Sequence, residues 1–144
     1  MKTKSLSIAV TLTMIMVLLI AACGSGSSGS GSQKSSKSPS DLMETYFDYL
    51  KNGKFKEIVM MVNGNENMSE KEMKNQIDIF KQAKEMADQY MGGLKSMQVL
   101  EENISSDGKT ATVKVKTLFG NGQENEEENE LIKVNGSWMF KQFN

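Results

Sequence analysis

The sequence predicts an α+β fold in which three N-terminal helices pack on a four-stranded antiparallel sheet. Up to residue 91, apolar side chains recur every three or four residues, as they do along one face of a helix. After Gly92-Gly93 the apolar period changes to two, which is typical of strands with one buried face. Because the helical segments all precede the strands, we expect one face of the sheet to pack on the helices.

The first helix is predicted from its two ends. Ser38 supplies a capping side chain, Pro39 occupies the first helical position, and Asp41 follows the cap by three residues. Asn52-Gly53 provides the left-handed stop. Between these ends one stripe of the helix is apolar, and it comprises Leu42, Met43, Tyr46, Phe47 and Leu50.

Two further helices follow. Apolar residues between Phe55 and Val62 predict a short helix that ends at Asn63-Gly64. Ser69 and Glu72 form a second capping box, which opens a long third helix that ends at Gly92-Gly93. We expect the buried stripe of this helix to contain Met73, Ile77, Phe80, Met86 and Tyr90.

Turn signals separate the four predicted strands. The first covers residues 97–104 and precedes a turn at Asp107-Gly108; the second covers residues 111–119 and precedes a three-residue turn at residues 120–122. Residues 124–134 then lead into Asn135-Gly136, a strong hairpin signal, and residues 137–143 complete the sheet.

The hairpins predict the register and therefore the inner face of the sheet. The turn at Asn135-Gly136 sets Lys133 opposite Trp138, Leu131 opposite Phe140 and Asn129 opposite Gln142. The preceding turn pairs Val113 with Asn129, Ala111 with Leu131, Lys114 with Glu128 and Lys116 with Glu126. Both hairpins therefore assign the same residues to one inner face.

Four polar residues on this face suggest a ligand pocket. Unpartnered buried polar groups cost about 1–3 kcal/mol each, so we expect these residues to rim a wet, open end of the sheet with Trp138 as the floor. The four are Asn125, Glu127, Asn129 and Gln142. The alternative is that this end extends into solvent, with the glutamates of residues 124–130 meeting lysines on neighbouring strands. The numerous methionines fit either an adaptable pocket or ordinary core packing.

The segments at residues 131–140 and 51–55 resemble those of a known family. Leu-Ile-Lys-Val-Asn-Gly-Ser-Trp-Met-Phe and Lys-Asn-Gly-Lys-Phe are similar to motifs of small bacterial lipoprotein domains in the nuclear-transport-factor-2-like superfamily. They most resemble a domain of unknown function with a lumazine-binding-like name. The resemblance covers residues 39–144, and it implies a curved sheet wrapped around helices in a cone with a pocket. Some members of the superfamily use acidic groups or histidines in that pocket for catalysis, but this chain has no histidine.

The N-terminal region resembles a bacterial lipoprotein signal. Lys2 and Lys4 precede an apolar stretch, and Ala21-Ala22 precedes Cys23, the only cysteine of the chain. We expect cleavage before Cys23 and a diacylglycerol on its sulfur. An uncleaved span and ordinary secretion are the alternatives, but the stretch is short and diluted by Ser and Thr for a spanning helix, and secretion alone would not explain the cysteine.

The predicted domains are a signal peptide at residues 1–22, a lipidated cysteine and disordered Gly/Ser linker at residues 23–40, and a folded domain at residues 41–144. Without residues 1–22 the chain has 15 lysines and 18 acidic side chains, a net formal charge of −3. This balance disfavours nucleic acid as a partner. We expect the lipid to hold the protein on the cell envelope, at the outer membrane facing the periplasm where one exists and otherwise at the cell membrane.

The chemistry-bearing residues do not favour an enzyme. Only Glu127 with Tyr46 or Tyr90 suggests acid–base work, and no clustered spacing predicts a metal or cofactor site. We therefore expect a protein that binds a small or lipid-like ligand through Tyr46, Tyr90 and the polar rim. The alternatives are a module that docks on another envelope protein through an outer patch at Ile132, Met139 and Phe143 or through the acidic strand, a homodimer formed through the sheet, and, least favoured, a hydrolase or isomerase.

Overall fold

The computed structural model describes residues 38–142 and confirms the predicted α+β fold class. The predicted signal, Cys23, most of the linker and Phe143 lie outside the described residues. Helices precede strands along the chain, and their order is α1 (Pro39–Lys51), α2 (Phe55–Met60), a 3-10 helix (Asn65–Asn67), α3 (Glu70–Met91), β1 (Leu94–Ile104), β2 (Thr110–Phe119), β3 (Glu124–Val134) and β4 (Ser137–Phe140).

The predicted caps begin both long helices. The Ser38 hydroxyl accepts a hydrogen bond from the backbone N–H of Asp41, and the Asp41 carboxylate accepts one from the N–H of Ser38 at 3.0 Å. Ser69 and Glu72 form the same capping box at the start of α3. Gly92 adopts a left-handed φ of 73° and ends α3 at the predicted position. The described residues begin with the cap of α1 at Ser38.

The strands form one antiparallel sheet in the order β1-β2-β3-β4, and the predicted register is confirmed for β2 with β3 and for β3 with β4 as far as Phe140. β4 ends at Phe140 and not at residue 143, so the predicted pair of Asn129 and Gln142 lies beyond the paired residues. Val113 pairs with Asn129, Leu131 with Ala111 and Phe140, and Lys133 with Trp138. β1 begins three residues earlier than expected and contains two register shifts, between Leu94 and Ser96 and between Val99 and Glu101. Such irregularities are invisible to a period-two pattern because each inserts an extra residue into the alternation.

The core lies between the inner face of the sheet and the first two helices. Leu131, Val113, Val115 and Met43 are fully buried at its centre. The other members of this cluster are Leu42, Tyr46, Ile58, Met61, Val62, Ala111, Trp138 and Phe140. The apolar stripe of α1 and the alternating residues of the strands therefore pack against each other as predicted.

The second helix is shorter than predicted, and the residues after it pair with β4. It ends at Met60, and the chain then runs alongside β4 as a parallel bridge between Val62 and Phe140. The Phe140 N–H donates to the Met61 carbonyl at 2.8 Å, and the Asn63 N–H donates to the Phe140 carbonyl at 2.9 Å. This segment covers the free edge of β4, which would otherwise present unpaired backbone groups.

The predicted buried stripe of α3 is wrong at its C-terminal end. Met86 is 55% exposed and Tyr90 is 72% exposed, whereas Ala87 is buried. α3 packs against α2 and β1, so the helix buries the side that carries Phe80 and Ala87. Met86 and Tyr90 lie about a quarter turn away from that side, because successive helical residues are separated by about 100°.

Candidate functional site

A small cavity lies between the C-terminal halves of α1 and α3 and one end of the sheet. Its volume is about 60 Å³, enough for a few water molecules or a ligand of a few heavy atoms. Its walls are mostly apolar, and the lining residues are Met43, Tyr46, Phe47, Leu50, Ala83, Lys84, Ala87, Leu94, Met97, Thr117, Phe119, Asn125 and Glu127.

Helix and strand periodicity explain why these residues of α1 and β3 face the cavity. Met43, Tyr46 and Leu50 fall on one stripe of α1 because they are spaced by three and four residues. Asn125 and Glu127 share the inner face of β3 because successive strand residues alternate between faces. The register sets Asn125 opposite Thr117 and Glu127 opposite Val115, so the polar groups of β2 and β3 lie on the same side of the cavity.

Two backbone hydrogen bonds join the end of α3 to the turn between β2 and β3 at this end of the molecule. The Gly120 N–H donates to the Gly93 carbonyl at 2.9 Å, and the Asn121 N–H donates to the Met91 carbonyl at 2.8 Å. A Cβ on Gly120 would lie 2.0 Å from the carbonyl oxygen of Gly92, so only glycine permits this approach. We call these two backbone bonds the glycine clamp.

Glu127 is the one acidic residue among those that line the cavity. Burial raises the pKa of its carboxyl above the ordinary 4.5, and the nearby Asn129 amide opposes part of that shift. Burial also raises the pKa of the Tyr46 hydroxyl, and the proximity of Glu127 raises it further. The Tyr46 ring is held in place by an edge-on contact with Phe140, with ring centroids 5.1 Å apart. The cavity therefore combines a carboxyl group of weakened acidity with a neutral phenol.

Asn129 lies beside this pair and is 1% exposed. Its Nδ2 has no partner at hydrogen-bonding distance within the described part of the chain, although the amide is close enough to Glu127 to lower the pKa of that carboxyl. A buried amide donor without a partner costs about 1–3 kcal/mol. Asn129 thus supplies a buried donor beside the cavity, and the Glu127 carboxyl is one group that its amide influences.

The structure brings together only part of the predicted site. Tyr46, Glu127 and the rim residue Asn125 line the cavity, whereas Asn129 lies on the inner face behind it. Tyr90 projects into solvent at 72% exposure.

Two other predicted site residues also lie away from the cavity. Trp138 does not form its floor: it is 3% exposed at the hairpin end of the sheet, with the Lys133 Nζ 5.4 Å from its ring. The Gln142 side chain lies against Gly64, beyond the end of β4. The cavity lies at the end of the sheet near the turn between β2 and β3, whereas Trp138 and Gln142 lie towards the other end.

Several lining residues escaped the sequence prediction. Ala83 and Lys84 share the side of α3 that carries Phe80 and Ala87, so the corrected helix stripe would have found them. Leu94 lies before the predicted start of β1. Thr117 and Phe119 continue the inner alternation of β2 beyond Val115, and this pattern was the available signal.

The acidic strand is an ion-paired outer face. Lys114 bonds Glu126 at 2.9 Å, Lys116 bonds Glu124 at 3.1 Å and Lys141 bonds Glu130 at 2.7 Å. All of these groups are substantially exposed, and such pairs contribute at most about 1 kcal/mol each. Ile132 pairs with Met139 on this face, and both are half-buried.

Across residues 38–142, no group of three or more acidic, histidine or cysteine side chains is arranged to hold a metal ion. None of the helices between Pro39 and Met91 is long and apolar enough to cross a membrane.

Solved structures share this fold. A candidate NTF2-like transpeptidase from Campylobacter jejuni is 23% identical, with a TM-score of 0.60, over 73% of this chain and 98% of that one. A SEC-C motif containing protein from Rhodopseudomonas palustris is 21% identical, with a TM-score of 0.52, over 76% of this chain and 79% of that one. A SEC-C motif containing protein from Psychrobacter arcticus is 18% identical, with a TM-score of 0.55, over 76% of this chain and 61% of that one. At these identities the likeness shows the fold.

No curated protein matches the sequence. A family profile described as a domain of unknown function, DUF4878, matches residues 28–141 and so covers all four strands and three helices of the described structure. With its NTF2-like arrangement of helices on a four-stranded sheet, the chain belongs to the DUF4878 family.

Proposed function

We propose that this protein is an exported, lipid-anchored component of the cell envelope whose NTF2-like domain binds a small, mainly apolar ligand. The observation that carries the ligand proposal is the cavity itself, which has mostly apolar walls, a polar side at Thr117, Asn125 and Glu127, and Lys84 on α3. Binding sites commonly combine apolar walls with a few placed polar groups that orient the ligand. The walls supply affinity and the polar side supplies orientation.

The size of the cavity limits the ligand. A volume of about 60 Å³ accepts a short chain or a small ring substituent, whereas whole drug-sized ligands need pockets of about 300–1,000 Å³. A longer lipid-like molecule would insert one end only. The polar side would then meet a head group or a single heteroatom.

A ligand panel with a cavity-filling variant tests this proposal. We expect some small amphiphiles, such as butanol, butyrate, butylammonium and benzene, to raise the melting temperature of the full chain, because a ligand that binds only the folded state stabilises it. Ala87→Leu fills the cavity and should abolish the shift, whereas Met86→Leu, one residue away on the exposed side of α3, should retain it. Ala83→Met is a second filling variant if the first does not fold.

The ligand proposal fails if no compound raises the melting temperature, or if the shift survives in folded variants with a filled cavity. Either result would favour the second candidate function, docking on another envelope protein.

The anchor proposal is supported by the sequence around Cys23, with an apolar stretch before it and a Gly/Ser linker after it. The lipid would place the domain at the outer membrane facing the periplasm, or at the cell membrane of a cell with a single membrane. We expect Cys23→Ser to abolish palmitate labelling and membrane association, whereas Ser25→Ala should change neither. Persistence of both in Cys23→Ser would refute the anchor.

The second candidate is a module that docks on another envelope protein. It is favoured by the apolar side chains that α3 leaves exposed, namely Ile79, Met86 and Tyr90. Exposed apolar patches often mark protein-binding surfaces, and Met86 and Tyr90 are neighbours one turn apart on α3. A protein that co-purifies with the wild-type chain and is lost with Met86→Ser and Tyr90→Ser, but not with Ala87→Leu, would support docking over ligand binding.

A further inference from the structure

Glu127 is a carboxyl group in the cavity without a basic partner. Among residues 38–142, its side chain takes part in no ion pair. The one lysine that lines the cavity, Lys84, bonds Asp88 at 2.5 Å, one helical turn further along α3. Apart from Lys84, none of the residues that line the cavity carries a positive charge.

The groups beside Glu127 are hydrogen-bond donors. Tyr46 lines the same cavity as Glu127 and brings a hydroxyl, and the buried Asn129 Nδ2 has no hydrogen-bond partner among residues 38–142. Donors around a carboxyl stabilise its ionised form, whereas burial without a cation opposes ionisation. A ligand that brought a positive charge would reverse this balance, since the ionised carboxylate would then accept from the donors and pair with the cation.

The walls of the cavity suit the apolar part of such a ligand. Tyr46, Phe47 and Phe119 present aromatic surfaces, and an ammonium group or the carbon beside it interacts favourably with aromatic faces. The Phe47 ring already has a cation over it, the Lys51 Nζ at 5.7 Å. A carboxylate flanked by aromatic and apolar walls is the arrangement that recognises organic ammonium ions.

We propose that the cavity binds a small primary ammonium ligand with a short apolar chain, whose ammonium group pairs with Glu127 while its chain contacts Met43, Leu50 and Met97. This inference rests on the proposed ligand-binding function and names its ligand class. The ammonium keeps its three protons. When Glu127 is protonated before binding, the carboxyl releases one proton to the buffer and becomes the counterion.

Butylammonium chloride is the probe that tests the inference, with butanol and sodium butyrate as matched compounds of similar length. We expect the full chain to bind butylammonium at least about tenfold more tightly than either compound, because only its charged group forms a charge-assisted hydrogen bond with the Glu127 carboxylate. Glu127→Gln should lose at least about tenfold of the affinity for butylammonium. Glu128→Gln, which makes the same change on the opposite, outer face of β3, should retain that affinity.

The carboxyl signal of Glu127 provides a second measurement that a merely structural role would not change. In carbon-detected NMR titrations, saturating butylammonium should lower the pKa of Glu127, whereas butanol should leave it unchanged. Calorimetry should show proton release on binding at a pH where Glu127 is protonated.

The possible failures are distinguishable. If butanol or butyrate binds as tightly as butylammonium, or if Glu127→Gln retains the affinity, the ammonium inference is wrong while the ligand-binding function stands. If none of these compounds, nor any of the wider panel, binds the chain, both proposals fail.

Discussion

The glycine clamp predicts a large effect from one added methyl group. In Gly120→Ala, the new Cβ would lie 2.0 Å from the Gly92 oxygen and 2.7 Å from the Gly92 carbonyl carbon. Ordinary contact begins near 3.4 Å, so the two backbones would have to separate by about 1.4 Å. A displacement of this size breaks both clamp bonds, which are 2.9 and 2.8 Å long.

The expected loss of stability follows from those bonds. Each backbone hydrogen bond contributes about 0.5–1.5 kcal/mol net, so the loss of both costs about 1–3 kcal/mol. In a domain of about 100 residues, 1 kcal/mol shifts the melting temperature by about 4–8 °C. We therefore expect Gly120→Ala to lower the melting temperature by about 5–20 °C. The clamp holds the end of α3 over the cavity, so ligand binding should also weaken.

Thermal unfolding followed by circular dichroism measures the stability, and hydrogen exchange locates the effect. Gly120→Ala should reduce the amide protection of the last turn of α3. Gly122→Ala is the control: it adds a methyl in open space and strains only its own φ of 86°, so α3 should keep its protection. The reasoning is refuted if Gly120→Ala unfolds within about 0.5 kcal/mol of wild type, or if the protection of α3 is unchanged.

Two further substitutions test the site and the core. The pKa of Glu127 is raised in the folded state, so folded protein binds the extra proton between the ordinary pKa of 4.5 and the raised value, and stability falls as pH rises through that window. Urea unfolding from about pH 4 to about pH 8 should therefore show that Glu127→Gln is more stable than wild type at neutral pH, and that the difference disappears below the ordinary pKa. The free energy of unfolding of the variant should also depend less on pH. An equal dependence on pH in both proteins would contradict this reasoning. Trp138→Ala should lower the free energy of unfolding by about 3–5 kcal/mol because the ring is buried. The ring does not line the cavity, so folded Trp138→Ala protein should keep the ligand-induced rise in melting temperature. Loss of that rise would place Trp138 in the binding site.

The pairing of the strands in the sheet was largely predictable from local sequence patterns. Asn135 and Gly136 both have positive φ, as the predicted two-residue turn requires, and the turn residues together with the period-two alternation were enough to pair Lys133 with Trp138. The same reasoning identified Glu127 as an inner-face residue. Register is predictable here because a shift of one residue would move Val113 and Leu131 from the core to solvent.

The site was predictable only in part. The polar inner residues of β3 were found, but Trp138 was assigned to the same pocket, although it belongs to the opposite end of the sheet. Sequence pattern states which face a side chain occupies, and it does not state which helix covers each part of that face. The orientation of α3 was missed for a related reason, because a helix with apolar residues on more than one stripe can bury either.

The residue order alone determined the caps of α1 and α3, the turns and the pairing of the strands, since each depends on groups that are close along the chain or fixed by a hairpin. Only the tertiary structure decided where the cavity lies, because that depends on long-range approaches: Gly120 to Gly92, and Tyr46 to Glu127. These contacts join segments far apart in sequence, and their geometry is set by how the whole helical layer packs on the sheet.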